Sequence, residues 1–171
     1  EWAPLKLEYS FGASGGMRIT EYMYSGANGE FVEFTNRSKS PIDMTGWSMD
    51  DDHVTPGAFS LSAAGTVQPG ESVIVTEANA ETFRIAWGLS AGVKIIGQLG
   101  VTSGNNFARN DEINLYDNTG QLVDRLTYGD QTFPGTIRTQ NASGQTCRQN
   151  IGQNTISTWA LSAIGDVHGS W

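Results

Sequence analysis

The stretch MRITEYMYSGANGEFVEFTN, residues 17–36, decides the fold class. Two runs within it, residues 17–24 and 30–35, are rich in the aromatic and β-branched residues that favour strands. The segment that links them, residues 25–29, contains glycines that tolerate the backbone angles of a tight reversal. The stretch therefore predicts an antiparallel β-hairpin.

Six further runs of the same kind follow, each short and bounded by Gly, Asn, Asp or Pro. The segment DNTG, residues 117–120, tolerates positive φ, so the last two runs predict a second hairpin. Eight short strands at such spacings favour a β-sandwich over a helical fold. The six runs are residues 45–49, 58–61, 72–76, 93–96, 112–116 and 121–128.

One segment, residues 78–88, has a helical pattern instead. Asn79 is placed to cap a helix, and Gly88 is placed to end it. Phe83 and Trp87 are four residues apart and therefore share one face. The segment predicts a short helix in an insertion, which lies as a flap over one end of the sandwich and buries those two rings.

The strand pattern is lost after residue 130. Residues 136–154 are mostly Gly, Asn, Gln, Ser and Thr, which predicts a long loop or extended arm, and residues 159–161 (WAL) are expected to dock back. We therefore expect three parts. They are an N-terminal extension (1–16), the β-sandwich (17–130) and a C-terminal arm (131–171) that packs on the same domain.

Composition and charge exclude several functional classes. The 171 residues suffice for one packed core, and a net charge of −8 would repel the phosphate backbone of a nucleic acid. No apolar run approaches the roughly 20 residues that span a bilayer, so no membrane insertion is expected of this fragment. Cys147 is the only cysteine, so neither an internal disulfide nor a cysteine-based metal site is expected.

Five ordered blocks carry a family resemblance that covers roughly residues 17–128. The blocks are ITEYMY (19–24), EFVEFTN (30–36), DMTGWSM (43–49), PGESVIV (69–75) and DEINLYD (111–117) with GQLVD (120–124). In sequence, order and spacing they closely resemble lamin tail domains. The resemblance implies an all-β, immunoglobulin-like β-sandwich of about eight or nine strands, without enzymatic activity of its own.

The resemblance is to the bacterial members of that family. Residues 159–170 are similar to the tail of bacterial members, which are modules of exported proteins with anchoring or docking roles. The chain has no coiled-coil heptads, nuclear-localisation cluster or prenylation box, so the partners of animal lamins are not expected. Trp47 alternates with polar neighbours and occupies the family's buried position, so we expect it to anchor the core.

Two glutamates are candidate binding residues. If Tyr24 pairs with Glu30 in the first hairpin, Glu21 lies directly opposite Glu33. The same register places Thr20 on the core face with Tyr22, Val32 and Phe34, and Ile19 on the other face. Because facing carboxylates repel each other, the pair indicates a calcium or ligand site. The alternative is two solvated glutamates that lie near Lys or Arg.

An acidic run follows Trp47. Asp50, Asp51 and Asp52 precede His53 and supply the oxygen ligands that calcium prefers, but they lack the spacing of a calcium-binding loop. The run is therefore either a calcium site or a solvated turn. Apart from this possible calcium, no cofactor is expected.

No catalytic residues are expected. The segment GASGG, residues 12–16, has the letters of a nucleophile elbow, but a strand follows it where a helix is required. His53 and His168 are too few for a catalytic zinc site, which needs about three protein ligands. The chain has no Walker A motif and no dinucleotide-binding fingerprint.

These observations predict a non-catalytic binding or anchoring module of a bacterial exported protein, located outside the cell or on its surface. Its expected partner is a protein or a cell-surface polysaccharide. The alternative is a carbohydrate-binding accessory module of a secreted hydrolase, because four tryptophans besides Trp47 could stack on sugar rings: Trp2, Trp87, Trp159 and Trp171.

Overall fold

A computed structural model of the chain describes residues 16–101 and 103–163. Within these residues the chain forms twelve short strands and one α-helix. The strands are β1 (Met17–Met23), β2 (Phe31–Asn36), β3 (Ile42–Asp43), β4 (Ser48–Asp50), β5 (Phe59–Ser60), β6 (Thr66–Val67), β7 (Ser72–Thr76), β8 (Lys94–Ile96), β9 (Asp111–Tyr116), β10 (Leu122–Tyr128), β11 (Gly144–Thr146) and β12 (Trp159–Leu161). The helix is α1 (Ala80–Ala86). None of the described helices is long and apolar enough to cross a membrane.

The strands form two main sheets and a small one. The six-stranded sheet has the order β12-β11-β1-β2-β7-β8, the four-stranded sheet has the order β10-β9-β4-β5, and β3 pairs with β6. All pairings are antiparallel except that of β7 with β8. A parallel pair needs a crossover connection, and α1 lies in that connection. The arrangement confirms the predicted immunoglobulin-like β-sandwich.

All eight predicted strands are present, and their ends differ from the predicted ones by at most three residues. The predicted helix is also present, and the Asn79 side chain accepts hydrogen bonds from the backbone N–H groups of Glu81 and Thr82. Trp87 follows the last helical residue, and Gly88 has φ of 60°, a conformation that glycine adopts at little cost. The sequence did not predict β3 and β6, because strands of two residues show no alternation.

The main core lies between the two sheets. Trp47 belongs to it and is 6% exposed. Tyr22 lies at its centre, with its ring centroid 4.4 Å from that of Tyr128 and 5.5 Å from that of Trp159. Buried apolar area is the main favourable contribution to folding, at about 25 cal/mol per Å². Because Tyr22 lies near the start of the described chain and Trp159 near its end, both ends contribute residues to this core.

The segment after residue 130 contains sheet structure that the sequence did not predict. β11 lies within residues 136–154, which were expected to be a loop, and it pairs with β1, while β12 pairs with β11. Gly144 lets the side chains of Ile137 and Thr139 lie close to β11. A Cβ added at Gly144 would lie 2.5 Å from Ile137 Cδ1 and 2.8 Å from Thr139 Cγ2. The strand was missed because three polar residues give no apolar alternation.

A β-bulge in β1 overturns the predicted facing of two residues. Ile19 pairs with Phe34 and Glu21 pairs with Glu33, so Thr20 is an extra residue on its strand. As a result Ile19 is buried in the main core. Thr20 lies on the other face, where its hydroxyl hydrogen-bonds to the Glu33 carboxylate. The prediction that placed Thr20 in the core and Ile19 outside was therefore wrong.

Candidate functional site

A groove lies on the face of the six-stranded sheet that is turned away from the main core, and we call it the outer groove. Its volume is about 490 Å³, within the range of ligand pockets, about 300 to 1,000 Å³. Strands β1, β2, β7 and β11 form its floor, and the helix segment forms one wall. Its lining includes Thr20, Glu21, Glu33, Thr35, Ile74 and Gln145 from the sheet, Phe83, Trp87 and Leu89 from the wall, and Arg37 and Arg148 from beyond the strand ends.

The two predicted glutamates lie in the middle of this floor. The predicted register is confirmed for this part of the hairpin: Met23 pairs with Phe31, Tyr22 with Val32 and Glu21 with Glu33. The two carboxylates belong to residues that face each other across neighbouring strands, where like charges destabilise a sheet. Both side chains line the outer groove.

Hydroxyl groups of the sheet bind these carboxylates. Glu33 Oε1 accepts hydrogen bonds from Thr20 Oγ1 at 2.5 Å and Thr35 Oγ1 at 3.2 Å. Thr35 Oγ1 in turn lies 2.8 Å from Ser72 Oγ. Glu21 Oε1 accepts from the hydroxyl of Ser143, the residue before β11. Within the described part of the chain, Glu33 has no cationic partner, so its negative charge is balanced only by dipoles.

An aromatic cluster bounds one end of the outer groove. The ring centroid of Phe31 lies 5.4 Å from that of Phe83 and 5.3 Å from that of Trp87. Trp87 stacks on Phe83 at 5.5 Å. The indole Nε1 of Trp87 is buried and has no hydrogen-bond acceptor among the described residues. This end therefore offers an apolar surface and one unsatisfied donor.

Two arginines bound the opposite end. Arg37 directly follows β2 and Arg148 follows β11 by two residues. Because β2 and β11 both run antiparallel to β1, the chain that follows each of them lies toward the start of β1. Both side chains are exposed and line the groove, and neither has an ion pair within residues 16–101 and 103–163.

The predicted acidic run lies elsewhere, at the end of β4 in the four-stranded sheet. Asp50 and Asp51 are 1% and 3% exposed, whereas the side chains of Asp52 and His53 are 70% and 72% exposed. The expectation of a fully solvated turn was therefore wrong for the first two aspartates. The structure does not bring this run together with Glu21 and Glu33.

Part of the acidic run has ligand atoms close together. One side-chain oxygen each from Asp50 and Asp51 and one ring nitrogen of His53 lie within 4.8 Å of one another. Burial raises the pKa of Asp50, while a hydrogen bond to Asp51 raises the pKa of His53. Asp51 also accepts a hydrogen bond from the backbone N–H of Asn106, which holds its loop against β4. The calcium hypothesis for this run stays a prediction.

Sequence reasoning missed a buried carboxyl, Glu30. It is 4% exposed, and both of its oxygens lie 2.9 Å from the backbone nitrogen of Phe107, whose N–H they accept. Burial raises the pKa of Glu30 to about 8, and the nearby Glu77 and Asp111 carboxylates contribute. Burial also raises the pKa of Asp111, to about 6. A glutamate at the start of a strand gives no sequence signal of burial, because its partner lies 77 residues later.

The residues considered for catalysis do not form a catalytic set within the described chain. His53 is exposed and its ring bonds to Asp51, so it does not activate a serine. Ser14 of the GASGG segment and His168 lie outside the described residues. The described site therefore offers binding groups and no nucleophile with an adjacent base.

Fold and site together define an immunoglobulin-like β-sandwich with a ligand-sized groove on one sheet. Residues 12–130 match the family model of the Lamin Tail Domain. This match covers more than half of the chain, so the chain belongs to the lamin tail domain family, whose immunoglobulin-like domains are generally non-catalytic. A search of curated proteins finds no significant match.

Proposed function

We propose that the chain is a non-catalytic binding and anchoring domain of a bacterial exported protein, and that the outer groove is its binding surface. The observation that supports this most is the set of binding groups in one ligand-sized groove. They are the indole ring of Trp87, the Glu33 carboxylate and two arginines, and the three charged groups have no ion pair among the described residues. A ligand would supply the charged partners that Glu33 and the arginines lack.

The proposed partner is a protein or a cell-surface polysaccharide, and the proposed location is the cell surface or the extracellular space. The similarity of residues 159–170 to bacterial family members supports this location. A net charge of −8 opposes nucleic acid as the partner. The proposal involves neither membrane insertion nor a resident cofactor.

A second candidate function is that of a carbohydrate-binding accessory module of a secreted hydrolase. The aromatic wall favours it, because Phe31 and Trp87 lie beside carboxylate, hydroxyl and amide groups in the same groove. Sugars combine apolar C–H faces with a rim of hydroxyl groups, and this lining matches both features. Both candidate functions use the outer groove as the binding site. They differ in whether the domain anchors an exported protein or serves a secreted hydrolase.

A pair of tryptophan substitutions on the helix segment tests the groove. Leu89 lines the groove, so Leu89→Trp should fill its mouth and lower the affinity for any groove ligand at least tenfold. Ile85 is 73% exposed and lies outside the groove, so Ile85→Trp adds the same side chain as a control. Binding is measured on an array of cell-wall glycans and surface proteins. Equal binding by both variants, or no binding by the wild type, would contradict the proposal.

A further inference from the structure

The unsatisfied groups of the outer groove are arranged in a fixed order. The aromatic end lies beside the start of β2, where Phe31 is the first residue of the strand. Glu33 lies two residues further along the same strand. Arg37 follows the end of that strand. The groove therefore presents an aromatic end, an acidic middle and a cationic end.

The distance along this order sets the size of the ligand. Four residues separate Glu33 from Arg37, and a strand rises about 3.3 Å per residue, so these backbone positions lie roughly 13 Å apart. The Glu33 and Arg37 side chains form no ion pair in the described chain, so an elongated ligand with different chemistry at its two ends can contact both.

We propose that the outer groove binds an acidic saccharide chain in which neutral and carboxylate-bearing rings alternate. This inference rests on the proposed function and names the ligand class of the same site. A neutral ring lies between Trp87 and Glu33, and the carboxylate of a neighbouring ring binds Arg37 and Arg148.

The aromatic end suits a neutral ring. A sugar ring places its C–H face on an aromatic surface and keeps its hydroxyl groups at the edge. The indole ring of Trp87 lines the groove and offers such a surface. The wall is held rigid by the packing of Trp87 on Phe31 and Phe83.

The acidic middle also selects a neutral ring. Glu33 Oε1 already accepts from Thr20 and Thr35, so a sugar hydroxyl would donate to the remaining oxygen, Oε2. A carboxylate at this place would be repelled by Glu33 and by Glu21 on the neighbouring strand. A chain in which every ring is acidic is therefore a poorer ligand than an alternating one.

The cationic end selects the acidic ring. Each guanidinium can donate two parallel hydrogen bonds to one carboxylate, and these charge-assisted bonds are stronger than bonds between neutral groups. Arg37 and Arg148 have no ion pair elsewhere in the described chain, so binding a carboxylate breaks no existing bridge.

An extended peptide is less well suited to this surface. The groove floor is the face of a sheet whose backbone groups already pair within β1, β2, β7 and β11. A peptide lying on that face would find side chains only, and its own backbone amides would be left without the regular partners that a sheet edge provides.

The test uses two probes that differ only in charge: an unsulfated chondroitin hexasaccharide and the same hexasaccharide with its carboxylates reduced to alcohols. Affinity is measured by isothermal titration calorimetry with the full chain. We expect the wild type to bind the acidic probe at least tenfold more tightly. Substituting Arg37→Gln and Arg148→Gln together should reduce that preference to less than twofold.

A matched control is Lys39→Gln, which removes another exposed positive charge near β2 from outside the groove lining. It should retain the preference for the acidic probe. Trp87→Ala should weaken both probes, and Trp87→Phe should recover part of the affinity, which separates ring stacking from loss of the fold. Melting temperatures of all variants verify folding.

The outcomes separate this inference from the proposed function. Equal affinity of the wild type for both probes, or a loss of preference in Lys39→Gln, would overturn the acidic-saccharide assignment. If neither probe binds while another array ligand is blocked by Leu89→Trp, the saccharide assignment fails and the groove still functions. If Leu89→Trp has no effect on any ligand, both proposals fail.

Discussion

Replacing Glu30 with Gln should remove a large part of the pH dependence of folding stability. Glu30 is 4% exposed, and among the described residues the only hydrogen-bond donor to its carboxyl group is the Phe107 N–H. Burial raises its pKa from 4.5 to about 8, so the folded protein holds a proton that the unfolded chain releases. The contribution of this group is fully present below about pH 4.5 and is lost as the pH rises through 8.

The size of this pH dependence follows from the shift in the pKa of Glu30. One pKa unit corresponds to about 1.4 kcal/mol, so Glu30 should lower the free energy of unfolding by about 1.4 kcal/mol per pH unit within this window. Between pH 5.5 and 7.5 the wild type should therefore lose about 2 to 3 kcal/mol relative to Glu30→Gln. Gln leaves an amide without an acceptor, which shifts the whole curve by a constant and leaves its slope unchanged.

Urea unfolding followed by tryptophan fluorescence, at half-unit steps of pH, measures this slope. Asp111 and His53 also have raised pKa values, so their contributions to folding stability also fall as the pH rises. Both residues are present in the wild type and in Glu30→Gln, so the difference between these two proteins isolates Glu30. Glu81→Gln, on the exposed surface of α1, is the control and should keep the wild-type slope. Parallel curves for the wild type and Glu30→Gln would refute the reasoning.

Three further substitutions test the fold. Asn79→Ala should cost about 1 kcal/mol in urea unfolding, because it removes the side-chain acceptor that caps α1. Trp47→Ala should cost about 3 to 5 kcal/mol, since it empties a buried site in the main core, and a cost below 1 kcal/mol would contradict that placement. Gly144→Val should increase hydrogen exchange in β11 and β12, because the new side chain meets Ile137 and Thr139, and unchanged protection would count against the pairing.

The sequence predicted the parts of the fold that local patterns determine. The first hairpin alternates over enough residues to define its register, and the Glu21 to Glu33 pairing followed from it. The helix was predictable because Asn79 and Gly88 mark its two ends. In each case the information lies within about 20 residues of chain.

The bulge at Thr20 shows where local reasoning stops. A strict period of two places Thr20 inward, but the apolar Ile19 is better buried, and one extra residue in the strand allows this. Threonine suits either face of a strand, so its identity does not reveal the change. The hydroxyl that the bulge turns outward became a partner of Glu33.

The candidate site was only half predictable, because its walls come from distant segments. Glu21 and Glu33 were identified from the hairpin, whereas Arg148 reaches the same groove only because β11 pairs with β1. No local pattern in residues 136–154 indicates that pairing. The burial of Glu30 against Phe107 was invisible for the same reason.

The central claim is that this domain binds its partner in the outer groove. Amide and indole chemical shifts, recorded by NMR while a ligand from the array is added, test it most directly. The account predicts that the largest changes include the Trp87 indole N–H and the amides of Glu33 and Thr35. Changes confined to Asp50, Asp51 and the loop around them would contradict it.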